Sequence, residues 1–269
     1  GYDLRRMEWH SAKHLHLGVE AMKRAFAARN ARLGDPDFVT NPLDELLSET
    51  WAKAQRGTIR IDQATPSSEI AAAPSTAGDG PHTTHFSVVD HNGNAVALTT
   101  TINWWFGSGV TVSGGGFLLN NEMDDFASKP GTANGFGLVQ GEPNAIAPGK
   151  RMLSSMTPTV VLRPDGRVAL ITGAAGGPTI ISTVFGILSN VLDFQMDVTR
   201  AVAAPRLHHQ HLPDVVVVEP NGLSEEARKG LAAMGHALKE REHIADAPSI
   251  GVGERGWIGA PEPRRPSAF

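Results

Sequence analysis

The chain has 269 residues, a formal charge of −4 at pH 7, 41% hydrophobic and 19% charged residues, and no cysteine. That is enough for one large domain or two small ones with a real core. The weak negative charge excludes nucleic-acid binding by bulk charge, the apolar content excludes a disordered chain, and no apolar run approaches the roughly 18–20 residues of a membrane span. Without cysteine there is no disulfide framework, thiol nucleophile or Cys-ligated metal. Glycine (29) and proline (18) exceed average usage and point to tight turns and a loop-built site. Gly1-Tyr2-Asp3-Leu4-Arg5-Arg6 does not make a signal peptide, and the chain is expected to be a piece of a longer one.

Leu15, Val19, Met22 and Phe26 fall at helical spacing, and Gly34-Asp35-Pro36-Asp37 stops that helix. Asn41-Pro42 caps a second helix that runs through Leu43, Leu46, Leu47 and Ala54 to Gly57. Ala71 to Pro81 is rich in Ala, Pro, Ser, Thr and Gly without periodicity, and is expected to be an exposed, flexible linker. At Thr83 the pattern turns to strand. Thr83–Val89 and Ala95–Thr101 flank His91-Asn92-Gly93-Asn94, a hairpin turn. Thr159–Arg163 and Val168–Thr172 form a second hairpin around Pro164-Asp165-Gly166. Helices over Thr179–Leu192 (apolar on most faces, hence buried) and Val198–Ala203 follow. Then come a strand over Val215–Val218 and a helix capped by Ser224 that runs through Met234. Hairpins ahead of buried helices predict a layered α+β fold.

Several chemistries are missing. There is no P-loop and no Gly-x-Ser-x-Gly elbow. Gly114-Gly115-Gly116 and Gly107-x-Gly109 read as turns. Leu207-His208-His209-Gln210-His211 resembles a metal cluster, but adjacent histidines point to opposite sides and no carboxylate lies at a helical offset. It is read as structural.

What remains is the junction where the linker meets a strand that starts with threonine. Thr83-Thr84-His85-Phe86-Ser87-Val88-Val89-Asp90 resembles the start of the small subunit of gamma-glutamyltranspeptidases. Five further segments agree in order and spacing: Thr101-Ile102-Asn103, Leu118 through Phe126, Leu153-Ser154-Ser155-Met156-Thr157-Pro158-Thr159, Gly173-Ala174-Ala175-Gly176-Gly177, and Ala204-Pro205-Arg206-Leu207-His208-His209-Gln210. Upstream, Leu33-Gly34-Asp35-Pro36-Asp37-Phe38 and Thr65-Pro66-Ser67-Ser68-Glu69-Ile70 resemble the end of the large subunit. The resemblance implies an Ntn-hydrolase αββα four-layer sandwich. It divides the chain into residues 1–82, the helical remnant of the large subunit, and 83–269, the catalytic small subunit.

The chemistry is sensible on its own terms. A threonine hydroxyl needs a base within reach. If the His82–Thr83 bond is cut, Thr83 gains an α-amine, whose pKa near 7.7–8.0 suits general-base work at neutral pH. The resemblance further implies that the chain makes this cut itself. It implies that Thr101 orients the nucleophile and that the N–H groups of Gly176 and Gly177 form the oxyanion hole. Asn103, Glu122 and Asp125 hold the substrate α-ammonium, and Ser154 and Ser155 bind its α-carboxylate. Asp124 is expected to be merely solvated. Pro130–Gly141 matches a flexible loop over the site, with Phe136 where such loops carry a gating aromatic. An arginine that pairs with the substrate carboxylate in the family lies in large-subunit sequence with no counterpart here, and Arg151 has no warrant for that role. The implied reaction is γ-glutamyl transfer from glutathione or a relative to water or an amine, without metal or organic cofactor. The partners are small-molecule substrates and the rest of the large subunit, with no nucleic acid. The setting is periplasmic or secreted. Two other readings stay open: an acylase for dicarboxylic side-chain amides, and an inactive fragment or binding module that keeps the His82–Thr83 bond.

Overall fold

The computed structural model describes residues 1–70 and 83–265, so the linker expected at 71–81 and His82 lie outside the described residues. In chain order, helices α1 (Ala12–Arg32), α2 (Leu43–Leu46), α3 (Glu49–Gly57) and α4 (Ser67–Ile70) precede strands β1 (Thr83–Val89), β2 (Ala95–Thr101), β3 (Thr159–Leu162) and β4 (Val168–Thr172). Then come α5 (Thr179–Leu192), α6 (Val198–Ala203), β5 (Leu207–His208), β6 (Val216–Val218), α7 (Glu225–Ala233), β7 (Leu238–Glu240), β8 (Ser249–Gly253) and β9 (Gly256–Ala260). They form two compact units, one of residues 1–70, 122–154 and 208–241, the other of 83–121, 155–207 and 242–265. The first unit draws on chain from both sides of Thr83. The compact units therefore do not follow a boundary at 82/83.

In the first unit, the Ser11 hydroxyl caps α1 by accepting from His14 N–H at 3.3 Å. Leu15, Val19, Met22 and Phe26 are buried, as their spacing predicts, but so are His16, Glu20, Lys23 and Arg24. A helix buried on so many faces must pair its charged side chains internally. The single helix expected from Leu43 to Gly57 is two, α2 and α3. Ser48 breaks it, because its Oγ accepts from Trp51 N–H at 3.0 Å and so starts a new helix. Strands β5, β6 and β7 form one sheet in that order, with β6 and β7 parallel and connected through α7. Helix α7 packs on α1, close enough that a Cβ on Gly230 would lie 2.5 Å from the Ala12 Cβ.

In the second unit β1 and β2 pair antiparallel over their full length, from Thr83↔Thr101 to Val89↔Ala95. Their turn is built by Asp90, whose Oδ1 accepts from Asn92 and Asn94 N–H at 2.8 and 2.9 Å, and by Gly93 at φ +84°. A second sheet runs β3-β4-β8-β9. Strands β8 and β9 are absent from the sequence reading, since three of the five residues of β8 are neither branched nor aromatic. Gly251 is required there, as a Cβ would come within 2.8 Å of Val198 Cβ on α6. Leu170 packs with Ile180, Val184 and Ile187 of α5, Val198, Ala201 and Val202 of α6, and Ala260. The order is thus helices, four-stranded sheet, β1–β2 ribbon, which are three of the four layers of the predicted sandwich. The outer face of the ribbon exposes Phe86, Val88, Val96 and Leu98. The fold is α+β as expected, and among the described residues no helix is long and apolar enough to cross a membrane.

Candidate active site

Alternation along β1 turns Thr83 and His85 inward and Thr84 and Phe86 outward. Thr83 sits at the head of β1, buried, directly opposite Thr101 at the end of β2. Its Oγ1 donates to Thr101 Oγ1 at 3.3 Å, and Thr101 Oγ1 also accepts from Asn103 N–H at 2.8 Å. Asn103 is buried with φ +75°, a left-handed conformation that asparagine tolerates better than most residues. Its Nδ2 donates to Asn121 O at 3.3 Å, while Asn121 Oδ1 accepts from Trp104 N–H. A cavity of about 330 Å³ opens here, lined among others by Thr83, Thr101, Ile102, Trp104, Trp105 and Arg265.

In the same unit, Gly173 to Gly177 lead from β4 into α5. Gly173 leaves no space for a Cβ, because the His85 imidazole occupies it. That ring bonds Thr99 Oγ1 at 2.8 Å and Ser87 Oγ at 3.1 Å, and burial lowers its pKa. A Cβ on Gly176 would meet Thr179 Oγ1 at 2.5 Å and Ala245 Cβ at 2.6 Å, and Gly177 has φ +57°. Ala245 is pinned: Arg206 Nη1 donates to Ile244 O and Ala245 O at 2.8 and 2.6 Å, and Asp246 exchanges backbone bonds with Ala175. Ser155 lies in this unit, half-buried.

The remaining predicted residues belong to the first unit. Glu122 and Asp125 share a short 3-10 turn. Burial, the Glu122 charge and a hydrogen bond with Glu122 push the Asp125 carboxyl up to about 7, and burial raises Glu122 too. Asp124 is exposed, as expected. Asn144 Nδ2 donates to Asp125 O at 2.9 Å and its Oδ1 accepts from Leu153 N–H, which fastens the acidic turn to the segment that carries Ser154. Arg29 on α1 joins them. Its Nη2 donates to Ser154 O at 3.0 Å, burial lowers its pKa to about 10, and Asp125 opposes that shift. Sequence reasoning does not single out Arg29, because nothing in its neighbours signals more than a position on a helix face. Arg151 is tied to Asp35 through Nε at 3.0 Å and Nη2 at 2.6 Å, so it is a structural ion pair.

The loop over Pro130–Gly141 is folded rather than extended over solvent. Ala133 bridges Val139, Phe136 is buried, and Gln210 Nε2 donates to Phe136 O at 3.0 Å. The histidine run is built into the fold: His208 packs edge-on against Phe26, and His209 Nε2 lies 3.2 Å from Asp214 Oδ1. A different trio, His16, Glu20 and His236, brings possible ligand atoms within 4.8 Å of one another. Glu20 already accepts from Arg24 and Thr65, and His16 faces Arg60 O and His236 with its two nitrogens. Glu20 and His16 thus find partners within the protein, while His236 Nδ1 is buried without a hydrogen-bond partner.

An α+β sandwich with a buried threonine at the head of a strand that faces the second sheet defines the class: the fold of the N-terminal-nucleophile hydrolases. Residues 1–269 match the gamma-glutamyltranspeptidase family model, and the chain belongs to that family. It is 44% identical over 264 residues to a glutathione hydrolase proenzyme of Escherichia coli, covering 98% of this chain and 45% of that protein. It is 43% identical over 275 residues to one of a Pseudomonas species, covering 98% and 48%. The crystal structure of gamma-glutamyltranspeptidase from Pseudomonas nitroreducens superposes with a TM-score of 0.65 at 49% identity, over 69% of this chain and 97% of that one. The chain thus spans about half the length of the curated relatives it matches.

Proposed function

We propose that this chain is the C-terminal half of a gamma-glutamyltransferase that cuts itself between His82 and Thr83 and then transfers or hydrolyses γ-glutamyl groups. The observation that carries this is the Thr83–Thr101 hydroxyl pair at 3.3 Å beside the cavity. Thr83 Oγ attacks the γ-carbonyl of glutathione while its freed α-amine takes the proton. The oxyanion is received by the N–H groups of Gly176 and Gly177, where a side chain would hinder backbone approach. The amide C–N bond breaks, the ammonium returns its proton to the leaving amine, and a Thr83 ester remains. Water or an amine then attacks that ester. Glu122 and Asp125 with Asn103 take the substrate ammonium, and Ser154 and Ser155 its carboxylate. The rest of the large subunit covers the apolar outer face of the β1–β2 ribbon. The mature protein is periplasmic or secreted.

The test is a denaturing gel with N-terminal sequencing of the full-length protein. Two fragments are expected, the smaller starting at Thr83, and Thr83→Ala should remain one inactive chain. A fully active protein with an internal Thr83 sinks the proposal.

A further inference from the structure

Residues from opposite sides of position 83 meet in one buried ionic cluster of the first unit. From the N-terminal side come His16, Glu20, Lys23 and Arg24 on α1, with Thr65 and Ser67. From the C-terminal side come His209, His211, Asp214 and His236. Lys23 Nζ lies 2.9 Å from Asp214 Oδ1, donates to Thr65 O at 2.8 Å, and lies 3.8 Å from Glu20 Oε1. Arg24 Nη1 pairs with Glu20 Oε2 at 2.7 Å. Asp214 Oδ2 accepts from Ser67 N–H at 2.7 Å, and Ser67 Oγ donates to His211 O at 2.5 Å. His16 Nδ1 and His236 Nε2 are 2.8 Å apart. The side chain of Lys23 is 2% exposed and those of Glu20 and His209 are 0% exposed, while that of Asp214 is 38% exposed and reaches the cluster from its rim. Lys23 and Arg24 face two carboxylates, Glu20 and Asp214, and Asp214 is the one that the C-terminal side supplies.

We propose that this cluster is the lock that holds the two polypeptides together after cleavage, with Asp214 at its centre; it rests on the self-cleavage reading above. Before the cut, Lys23–Asp214, Ser67–Asp214, Ser67–His211 and His16–His236 are contacts within one chain. After it, each joins one chain to another. Because Lys23 is buried, removing Asp214 leaves its charge without that partner in a place water does not reach, a larger loss than at a pair solvated on both sides. Lys23 and Arg24 would then face Glu20 alone.

The experiment measures subunit dissociation of the full-length protein on dilution, with Asp214→Asn and Ser67→Ala. It is run on the self-cut form and on a Thr83→Ala form opened by a protease site placed within residues 71–82. Asp214→Asn is expected to weaken subunit association about a hundredfold in both cut forms, and Ser67→Ala about tenfold. Uncut Thr83→Ala carrying Asp214→Asn should unfold at a temperature independent of concentration. Dissociation constants within about threefold of the parent for both variants overturn the lock, given that a broken buried hydrogen bond alone should exceed that. If Asp214→Asn does not fold even when uncut, Ser67→Ala decides. A chain that never cuts itself, yet behaves as expected when opened by protease, overturns the reading of Thr83 and leaves the lock standing.

Discussion

At the scale of single residues, the proposed substrate site makes a pH-dependent claim through Asp125. Its carboxyl is raised to about 7, chiefly by burial and then by Glu122, so below that pH it holds a proton and cannot pair with an ammonium. KM for a γ-glutamyl anilide is therefore expected to rise as pH falls below about 7. Asp125→Asn should raise KM by about tenfold or more, on the scale of a lost charge-assisted bond, and remove that pH dependence. A pH-independent KM in the parent enzyme contradicts the assignment. Gly177 makes a backbone claim. At φ +57° a Cβ costs about 1–2 kcal/mol, so Gly177→Ala should lower thermal stability as well as activity. Unchanged stability would show that the turn relaxes freely.

At the scale of elements, local chemistry decides where helices begin. Ser224 Oγ accepts from Ala227 N–H at 3.1 Å at the start of α7. Ser224→Ala should destabilise the protein by about 1 kcal/mol in denaturant unfolding, and a change below a few tenths would mean that another group replaces the cap. The core between β4 and α5 depends on packing instead. Leu170 is fully buried there, and Leu170→Ala should cost about 2–5 kcal/mol, with the value set by how far the cavity can collapse. The two sheets of the second unit touch where His85 fills the space that Gly173 leaves. That contact gives the Gly173-Ala174-Ala175-Gly176-Gly177 segment a packing reason for its first glycine, separate from any role of the last two.

At the scale of the whole molecule, buried histidines set the response to acid. Burial lowers His10, His208 and His236 to about 4 from an ordinary value near 6.5. Between those values the unfolded chain binds protons that the folded chain does not, so their contribution to stability is full above about 6.5 and is lost as pH falls toward 4. Asp125 and Glu122 act in the opposite sense, since a raised carboxyl pKa favours the folded state as pH drops, but they stand against these three histidines and against His85 and His209, which burial also lowers. Thermal midpoints should fall steadily from pH 7 to pH 4.5. A flat or rising profile would mean that the histidines open to solvent before the fold does.

Elements whose signals lie within about ten residues of one another are legible in the sequence: the β1–β2 hairpin with its Asn-Gly turn, the apolar α5, and the cap at Ser224. The cap at Ser48 is not, because an apolar pattern continues across it. The motif order around Thr83 was also readable and carried the family. Tertiary structure alone decided what depends on distant partners. Arg29 bonds Ser154 across 125 positions, Lys23 meets Asp214 across 191, and Gly251 makes sense only against Val198. The physical reason is that periodicity and turn chemistry are local properties of the chain. A buried charge acquires its meaning from whichever group folding brings to it, and no neighbour in sequence announces that group.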